Sequence, residues 1–220
     1  MDGEVSGETV PTVQSQPLSK GERTRNRLMD VAYQAVIRKG FAATSIEELV
    51  EAAGITKSGF FYHFRDKNDL ARRLLDRYQA ENDQFQAGLA ARARELSDDP
   101  LHAFLIFLKL YAEAMQGLVE NHPGCLVATI TFQDQAFDRE VRQRNADGLI
   151  TWRELFLPWL QQIAARYPPR GEVDLSALAD GMFGATSAGL ILSKALNDPK
   201  AVSSQVMLYR ESIRMTFAPR

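Results

Sequence analysis

The chain has 220 residues, of which 45% are hydrophobic and 25% are charged, a balance typical of a globular protein that buries a core. Its net charge of −2 excludes a general polyanion binder, and its single cysteine excludes an intramolecular disulfide. No uninterrupted apolar run reaches the roughly 18 residues of a membrane span. We therefore expect a cytoplasmic protein with no membrane partner.

Charge is unevenly distributed along the chain. Residues 1–17 are acidic and polar without the apolar stretch of a signal peptide, and we expect them to form a disordered tail. Residues 18–80 hold 12 Lys and Arg against 8 Asp and Glu. A basic segment on a slightly acidic molecule indicates a local anionic partner, although chance clustering of solvated charges would look the same.

Helix signals run through the whole chain in order. Ser19 and Glu22 have the spacing of a capping box, and the apolar pattern that follows ends at Gly40. Asp66 can cap a long helix, and Asp138 can cap another in which Pro158 should bend or break the helix. No strand alternation or repeat is present, so we predict an all-α fold of about nine helices.

Two short helices are expected at 45–53 and 56–64, joined by a turn that contains Gly54. This is a helix-turn-helix signature. In such motifs the second helix enters the DNA major groove, and its first turn meets the base edges. That first turn is small, polar or cationic and is formed by Thr56, Lys57, Ser58 and Gly59.

Helical spacing sorts the aromatic residues that surround His63. Phe60 and Phe64 are four residues apart and share one face, so we expect them in the core. Tyr62 and His63 fall on other faces, with polar tips that can reach phosphates. Lys67 lies in the first turn of the next helix, where its ammonium and the helix amides could bind a phosphate. Packing of a small helical domain is the alternative role for all of these residues.

The stretch "TSIEELVEAAGITKSGFFYHFRDKNDL" resembles the N-terminal DNA-binding domain of the TetR family of transcriptional regulators. The resemblance implies a three-helix DNA-binding domain at 18–65 and a helical effector-binding and dimerisation domain at 66–220. It further implies a homodimeric repressor that binds a palindromic DNA operator and is released by a small-molecule effector. An activator and a helical small-molecule carrier are the alternatives.

The resemblance also assigns contacts within the N-terminal part. It implies base contacts by the four first-turn residues named above. Phe61 stands where the family commonly has a tyrosine whose hydroxyl binds phosphate, so that contact is either lost or made by Tyr62. Phosphate contacts are implied at four positions: Thr44, Tyr62, His63 and Lys67.

Large side chains in the C-terminal part could enclose an effector pocket or form plain core. For any one residue both roles remain open, and the resemblance implies that some of them line an effector site. The candidates are Phe104, Phe107, Tyr111, Met115, Cys125, Phe132, Trp152, Phe156, Trp159 and Phe183.

Cys125 stands at an apparent helix start, where the thiolate form is favoured. The stretch "GCLVATITF" resembles a Gly-Cys-Leu branch of the same family, some of whose members sense electrophiles or oxidants through cysteine. Release of DNA by modification of Cys125 is therefore one hypothesis, and a small buried packing residue is the other.

Gly181, Ala185 and Gly189 are spaced by four residues and let two helices approach closely. The resemblance implies that they belong to a dimer interface formed by the last two helices, and close packing inside one subunit is the alternative. The three histidines are widely separated and no catalytic or metal-binding motif is present. We expect no enzyme activity, no metal and no cofactor.

Overall fold

A computed structural model describes residues 19–119 and 124–217. The tail expected at 1–17 lies outside these ranges. Within them the chain forms nine α-helices and one 3₁₀ turn (Asp134–Ala136) with no strand, so the all-α prediction is confirmed. The helices are α1 Lys20–Lys39, α2 Ile46–Ala52, α3 Lys57–His63, α4 Lys67–Leu96, α5 Pro100–Val119, α6 Leu126–Phe132, α7 Arg139–Arg166, α8 Leu175–Leu196 and α9 Ala201–Phe217.

Side-chain caps fix where the N-terminal helices begin. Ser19 and Glu22 make both hydrogen bonds of the predicted capping box on α1. Ser45 accepts from the N–H of the third residue of α2, Thr56 does the same on α3, and Asp66 on α4. Such a cap contributes about 1 kcal/mol. Because α2 and α3 have only seven residues each, they depend on their neighbours for the rest of their stability.

Two clusters of buried apolar residues organise the molecule, and the first is called the N-terminal core here. It gathers α1, α2, α3 and the beginning of α4, and it also takes in side chains from α6 to the beginning of α7. The second, the C-terminal core, lies among the end of α4, α5, α7, α8 and α9. The 30 residues of α4 therefore belong to both clusters. The later residues in the N-terminal core are Leu126, Ile130, Phe137 and Val141.

Of the two outcomes expected at Pro158, a bend or a break, the break does not occur, because α7 continues through this residue. A proline removes the hydrogen bond to the carbonyl four residues earlier, here that of Glu154. Glu154 and Pro158 are both exposed, so water can satisfy this carbonyl. The buried face of the same helix carries Trp159, Leu160 and Ile163, whose packing holds the helix together.

Two of the three spaced small residues of α8 pack inside the subunit. A Cβ at Gly189 would lie 2.5 Å from Val202 Cα of α9, and a Cβ at Gly181 would lie 2.8 Å from Tyr209 Cε2. Contacts this short leave no room for a side chain, so these glycines allow α8 and α9 to approach each other. Ala185 is half-buried and packs against the C-terminal core. The contacts of Gly181 and Gly189 favour the alternative role, close packing inside one subunit, over a place in a dimer interface.

The apolar character of α8 exceeds what its packing requires. Its most apolar 18-residue window has a mean hydropathy of 1.4, enough by length and composition to cross a membrane, yet only 22% of that window is buried within the subunit. The helix also carries Asp180, which forms a bidentate pair with Arg153 of α7. One face of α8 is therefore apolar and uncovered by the rest of the described chain.

Candidate nucleic-acid interface and internal cavity

The second helix of the helix-turn-helix, α3, is anchored by two phenylalanines. Phe60 and Phe64 are fully buried, at 0% and 1% exposure, and their ring centroids lie 5.6 Å apart. The N–H of Phe64 still bonds to the carbonyl of Phe60, which closes the last turn of the helix. Since these rings fix one face of α3, the opposite face is held rigidly toward solvent.

The first turn of α3 presents three exposed polar residues. Thr56, Lys57 and Ser58 are all exposed, and the Thr56 hydroxyl also caps the helix. Lys57 Nζ lies 2.7 Å from Glu47 Oε1 of α2, and this hydrogen bond lowers the pKa of the Glu47 carboxyl. An exposed ion pair of this kind is screened by solvent and contributes little to stability. Lys57 can therefore exchange Glu47 for a base or a phosphate.

Gly59 lies on the same turn but is half-buried. A Cβ at this position would meet Thr56 Oγ1 at 3.5 Å and Ile55 at 3.6 Å, which are ordinary contacts. The fold alone therefore does not require glycine here.

Tyr62 and His63 follow on the exposed side of α3. Tyr62 is 83% exposed, and its ring meets the His63 ring edge-on at 5.0 Å. Partial burial and the charge of Arg25 lower the pKa of His63, which favours the neutral imidazole. Phe61 is 47% exposed beside them and offers a ring without a hydroxyl. Tyr62 is consequently the phenol that this surface offers to a phosphate.

Lys67 begins α4 and is tied to the turn that follows α1. Its Nζ donates a hydrogen bond to the Phe41 carbonyl at 2.8 Å and lies 4.3 Å from the centroid of the Phe41 ring. Burial and the neighbouring Lys39 lower the pKa of this ammonium. An ammonium carries three donors, so two remain for an anion.

Thr44 is placed inside this turn rather than on the surface. It is 1% exposed, and its hydroxyl donates to the Gly40 carbonyl at 2.8 Å. Its N–H bonds to the Phe41 carbonyl at 3.1 Å. A side-chain contact between Thr44 and phosphate, as implied by the resemblance, would require this turn to open. In the closed turn Thr44 has a structural role instead.

A cavity of about 280 Å³ lies between the two cores. Five of the sequence candidates line it: Tyr111, Met115, Cys125, Trp152 and Phe183. The sequence did not predict that side chains of α1, of α4 and of the polar side of α8 line the cavity. In the sequence these residues belong to separate amphipathic helices, and nothing in their spacing brings them together. The missed lining residues are Tyr33, Leu74, Arg77, Tyr78, Glu81, Asn82, Phe85, Gly124, Thr186, Ser187 and Leu190.

The other candidates lie elsewhere. Four of them form an aromatic layer inside the C-terminal core, with ring centroids 5.1 to 6.1 Å apart: Phe104, Phe107, Phe156 and Trp159. Their helical spacing is the same for a core and for a pocket wall, so the sequence alone could not separate the two. Phe132, at the end of α6, is 81% exposed and does not line the cavity.

The polar groups of the cavity are mostly neutral hydroxyls. Burial raises the pKa of Tyr33 and of Tyr111 to about 12, and raises that of Tyr78 well above its usual value. The Tyr78 hydroxyl lies 3.8 Å from Cys125 Sγ. Cys125 is half-buried, is the N-cap residue of α6 and is itself part of the cavity wall.

Comparison with known proteins agrees with this architecture. The pattern of "Bacterial regulatory proteins, tetR family" matches residues 28–74. The probable HTH-type transcriptional regulator ArpR of Pseudomonas putida is 26% identical over 167 residues, which cover 74% of this chain and 77% of the relative. The HTH-type transcriptional regulator AcrR of Shigella flexneri is 37% identical over 122 residues, 56% of this chain and 54% of the relative.

Solved structures share the fold over most of the chain. A TetR-family transcriptional regulator from Agrobacterium tumefaciens aligns with a TM-score of 0.73 at 19% identity, covering 88% of this chain and 98% of that one. The regulatory protein TetR from Rhodobacter sphaeroides aligns with a TM-score of 0.68 at 21% identity, covering 86% and 97%. Together with the helix-turn-helix geometry, the family match over residues 28–74 and these similarities support a DNA-binding transcriptional regulator of the TetR family.

Proposed function

We propose that the protein is a cytoplasmic repressor that binds a palindromic operator as a homodimer and leaves it when a small molecule enters the cavity. The observation that supports this most directly is the exposed first turn of α3, held rigidly by Phe60 and Phe64. Residues 18–65 would read DNA, and 66–220 would bind the effector and dimerise. An activator that uses the same DNA surface is the second candidate.

On the DNA, α3 enters the major groove with its N-terminus toward the bases. Lys57 can donate to guanine O6 and N7, and Ser58 to either base type. Tyr62 and His63 then face one phosphate strand, and Lys67 contacts a phosphate from the start of α4. These phosphate contacts set affinity, whereas the first-turn contacts set sequence preference.

A second copy of the chain is the expected partner of the uncovered apolar face on α8. Gly184, Ala188 and Ile191 recur at helical intervals along this face and are exposed, Ile191 at 59%. On α9, Leu208 and Met215 are 65% and 63% exposed. Pairing α8 and α9 with the same helices of a second subunit about a two-fold axis would bury these side chains. It would also place two copies of α3 on one side of the dimer.

The effector proposal is supported by the position of the cavity along α4. Leu74, Tyr78 and Phe85 line the cavity from the helix that begins at the phosphate-binding Lys67. A ligand that moves these side chains would move the start of α4 and with it the spacing of the two recognition helices. A shift of a few ångströms would then prevent both from reaching their half-sites.

Modification of Cys125 is the second candidate trigger. Its thiol lies in the cavity wall, so an adduct would occupy the same space as a ligand. The test compares wild type with Cys125→Ser during titration by N-ethylmaleimide, following operator binding by fluorescence anisotropy and folding by circular dichroism. Loss of binding in the folded wild type alone supports this trigger, and equal loss in both proteins rules it out.

The overall proposal is tested by capturing genomic DNA on the purified protein and sequencing it. We expect an inverted repeat with half-sites centred about one helical turn or a multiple apart. Binding to that duplex should fall steeply between two salt concentrations, whereas a small-molecule carrier would show no such binding. Transcript levels of the neighbouring genes after gene deletion then distinguish a repressor, which gives a rise, from an activator, which gives a fall.

A further inference from the structure

The chemistry of the cavity wall restricts what the cavity can bind. Six aromatic rings surround it, on Tyr33, Tyr78, Phe85, Tyr111, Trp152 and Phe183. They meet in pairs: Trp152 and Phe183 edge-on at 5.7 Å, Phe85 and Tyr111 at 5.9 Å. Rings in these orientations offer both faces and edges to a flat aromatic ligand.

The charges in the described part of the wall are already paired. Arg77 Nη1 lies 2.8 Å from Asp30 Oδ1, and Arg77 Nε lies 3.6 Å from Glu81 Oε1. Glu81 is 70% exposed at the cavity edge, whereas the guanidinium is only 26% exposed. One guanidinium with two carboxylates leaves no spare positive charge for an anionic ligand. An ionised group carried deeper into the cavity would lose its hydration without gaining a partner.

Neutral donors are available instead. The Thr186 hydroxyl donates to the Met182 carbonyl at 3.0 Å and lies at the long distance of 3.5 Å from the Tyr111 oxygen, to which it can also donate. This weak contact uses the oxygen of Tyr111 and not its proton, so the Tyr111 hydroxyl can donate to an acceptor on a ligand. Because burial raises the pKa of Tyr111 to about 12, this phenol keeps its proton at physiological pH.

The volume sets the size of the ligand. A dry engineered cavity of about 150 Å³ lined by apolar side chains holds benzene. This cavity has about 280 Å³, so a molecule of roughly two fused rings would fill it.

From these features we propose that the cavity binds a neutral, two-ring aromatic molecule that accepts a hydrogen bond from the Tyr111 hydroxyl. This inference rests on the proposed effector role of the cavity and specifies its ligand class. Aromatic rings stack on the six side chains, and a carbonyl or similar oxygen meets Tyr111.

The test uses three compounds of nearly equal shape: naphthalene-2-carboxamide, 2-naphthoate and 2-naphthylmethylammonium. Their binding to the full chain is measured by isothermal titration calorimetry at pH 7, without DNA. We expect the neutral carboxamide to bind at least about tenfold more tightly than either ion, since each ion must be desolvated without a partner. Equal or tighter binding of either ion overturns the proposal, as does a carboxamide that gives no binding heat.

Two variants locate the binding. Tyr111→Phe should weaken the carboxamide about two- to tenfold, as expected for one lost hydrogen bond, and Tyr167→Phe, whose hydroxyl bonds to Asp99 outside the cavity, should not change it. Ser187→Phe should fill the cavity and abolish the heat. Undiminished binding in both Tyr111→Phe and Ser187→Phe overturns the assignment.

The effector role is read separately in the same samples, from the anisotropy of a labelled operator. Carboxamide that binds the cavity and releases the operator supports both proposals. Carboxamide that binds with the same preference over the ions while the operator stays bound leaves the ligand class standing and overturns the effector role.

Discussion

Gln133 Oε1 accepts a hydrogen bond from the N–H of Phe41 at 2.9 Å, across 92 residues of sequence. The same oxygen lies 3.4 Å from the N–H of Ala42, and the Gln133 amide packs where a side chain on Gly40 would stand. Gln133 directly follows the last residue of α6. At its other end, α6 is preceded by its N-cap residue Cys125, which lines the cavity. The Gln133 side chain thus connects α6, beside the cavity, to the turn that follows α1. The same turn contains Thr44 and the Phe41 carbonyl, which accepts a hydrogen bond from Lys67.

Replacing Gln133 with alanine should therefore loosen this turn. The Phe41 N–H would lose its acceptor in a partly buried position, which costs about 1 kcal/mol of unfolding free energy. Urea denaturation followed by circular dichroism measures the change. Gln161→Ala, on the exposed face of α7, is the matched control and should leave the midpoint unchanged. Equal midpoints for Gln133→Ala and wild type would show that the turn does not depend on Gln133.

Lys67→Ala should weaken binding to every DNA sequence and reduce the slope of log K against log salt by about one. The reason is that one phosphate contact, and the counterion it releases, is lost. Anisotropy titrations at four salt concentrations measure the slope, with Lys200→Ala, exposed on the α8–α9 connection, as the control. Because Lys67 also bonds to Phe41, thermal unfolding of the variant must be recorded beside the slope. An unchanged slope would remove Lys67 from the phosphate contacts.

If His63 faces a phosphate, operator affinity should fall as pH rises through the range between the pKa of His63 in the free protein and its pKa in the complex. In the free protein the pKa of His63 is lowered, and a nearby phosphate would raise it in the complex. The extra affinity is then fully present below the free pKa and is lost as pH rises through the complex pKa. Each unit of difference between the two pKa values is worth about tenfold. A pH profile that stays the same in His63→Gln would contradict the assignment.

Gly189→Ala and Gly88→Ala form a matched pair of substitutions inside helices, in α8 and in α4. At Gly189 the new methyl would lie 2.5 Å from the Val202 backbone, so α8 and α9 must separate, and we expect a loss of about 1–3 kcal/mol of stability. At the exposed Gly88 no atom of the described chain lies within 4 Å of the new methyl, and alanine is the better helix former by about 1 kcal/mol. Thermal melts of the two variants should therefore move in opposite directions. A Gly189→Ala protein as stable as wild type would contradict the observed α8–α9 packing.

Ile191→Asp tests the proposed dimer separately from the fold. Ile191 is 59% exposed in the single subunit, so the carboxylate should leave the folding of each subunit intact while opposing burial against a second copy. Sedimentation equilibrium at micromolar concentration should show a monomer, with helical content unchanged and operator affinity reduced. Ser204→Asp, on the exposed side of α9, is the control for the added charge. A dimeric Ile191→Asp protein would place the interface elsewhere.

The helices were predictable because their signals are local. The starts of α1, α3 and α4 are set by the side chains of Ser19, Thr56 and Asp66. Each accepts a hydrogen bond from a backbone N–H only three residues away. Whether Pro158 breaks α7 could not be decided from the sequence, because the cost depends on whether the carbonyl that loses its hydrogen bond faces water, which is a tertiary property. Family likeness, and not spacing alone, supplied the candidate phosphate contacts, and it could not foresee that Thr44 would be buried in its own turn.

The cavity was only half predictable for a related reason. Phe107 and Tyr111 lie on the same helix one turn apart, yet Tyr111 reaches the cavity while Phe107 lies in the aromatic layer. Periodicity distinguishes a buried face from an exposed one, but it does not tell which buried residues border an empty space. Tyr33 and Tyr78 meet at 6.4 Å only because α1 and α4 cross, and no sequence pattern records that crossing.

The N-terminal core includes residues from α4, α6 and α7, and this composition determines where the chain can be divided to build a chimera. A DNA-binding segment that ended at residue 65 would lose Leu70 and Leu74 from its own core, and Leu126 and Ile130 from α6. Asp138 extends the dependence, since it caps α7 and pairs with the buried Arg72 of α4 at 2.8 Å. A chimera that joins this DNA-binding part to the sensor of a relative must therefore transplant two separate stretches of chain, about 18–75 and 125–141, as one unit.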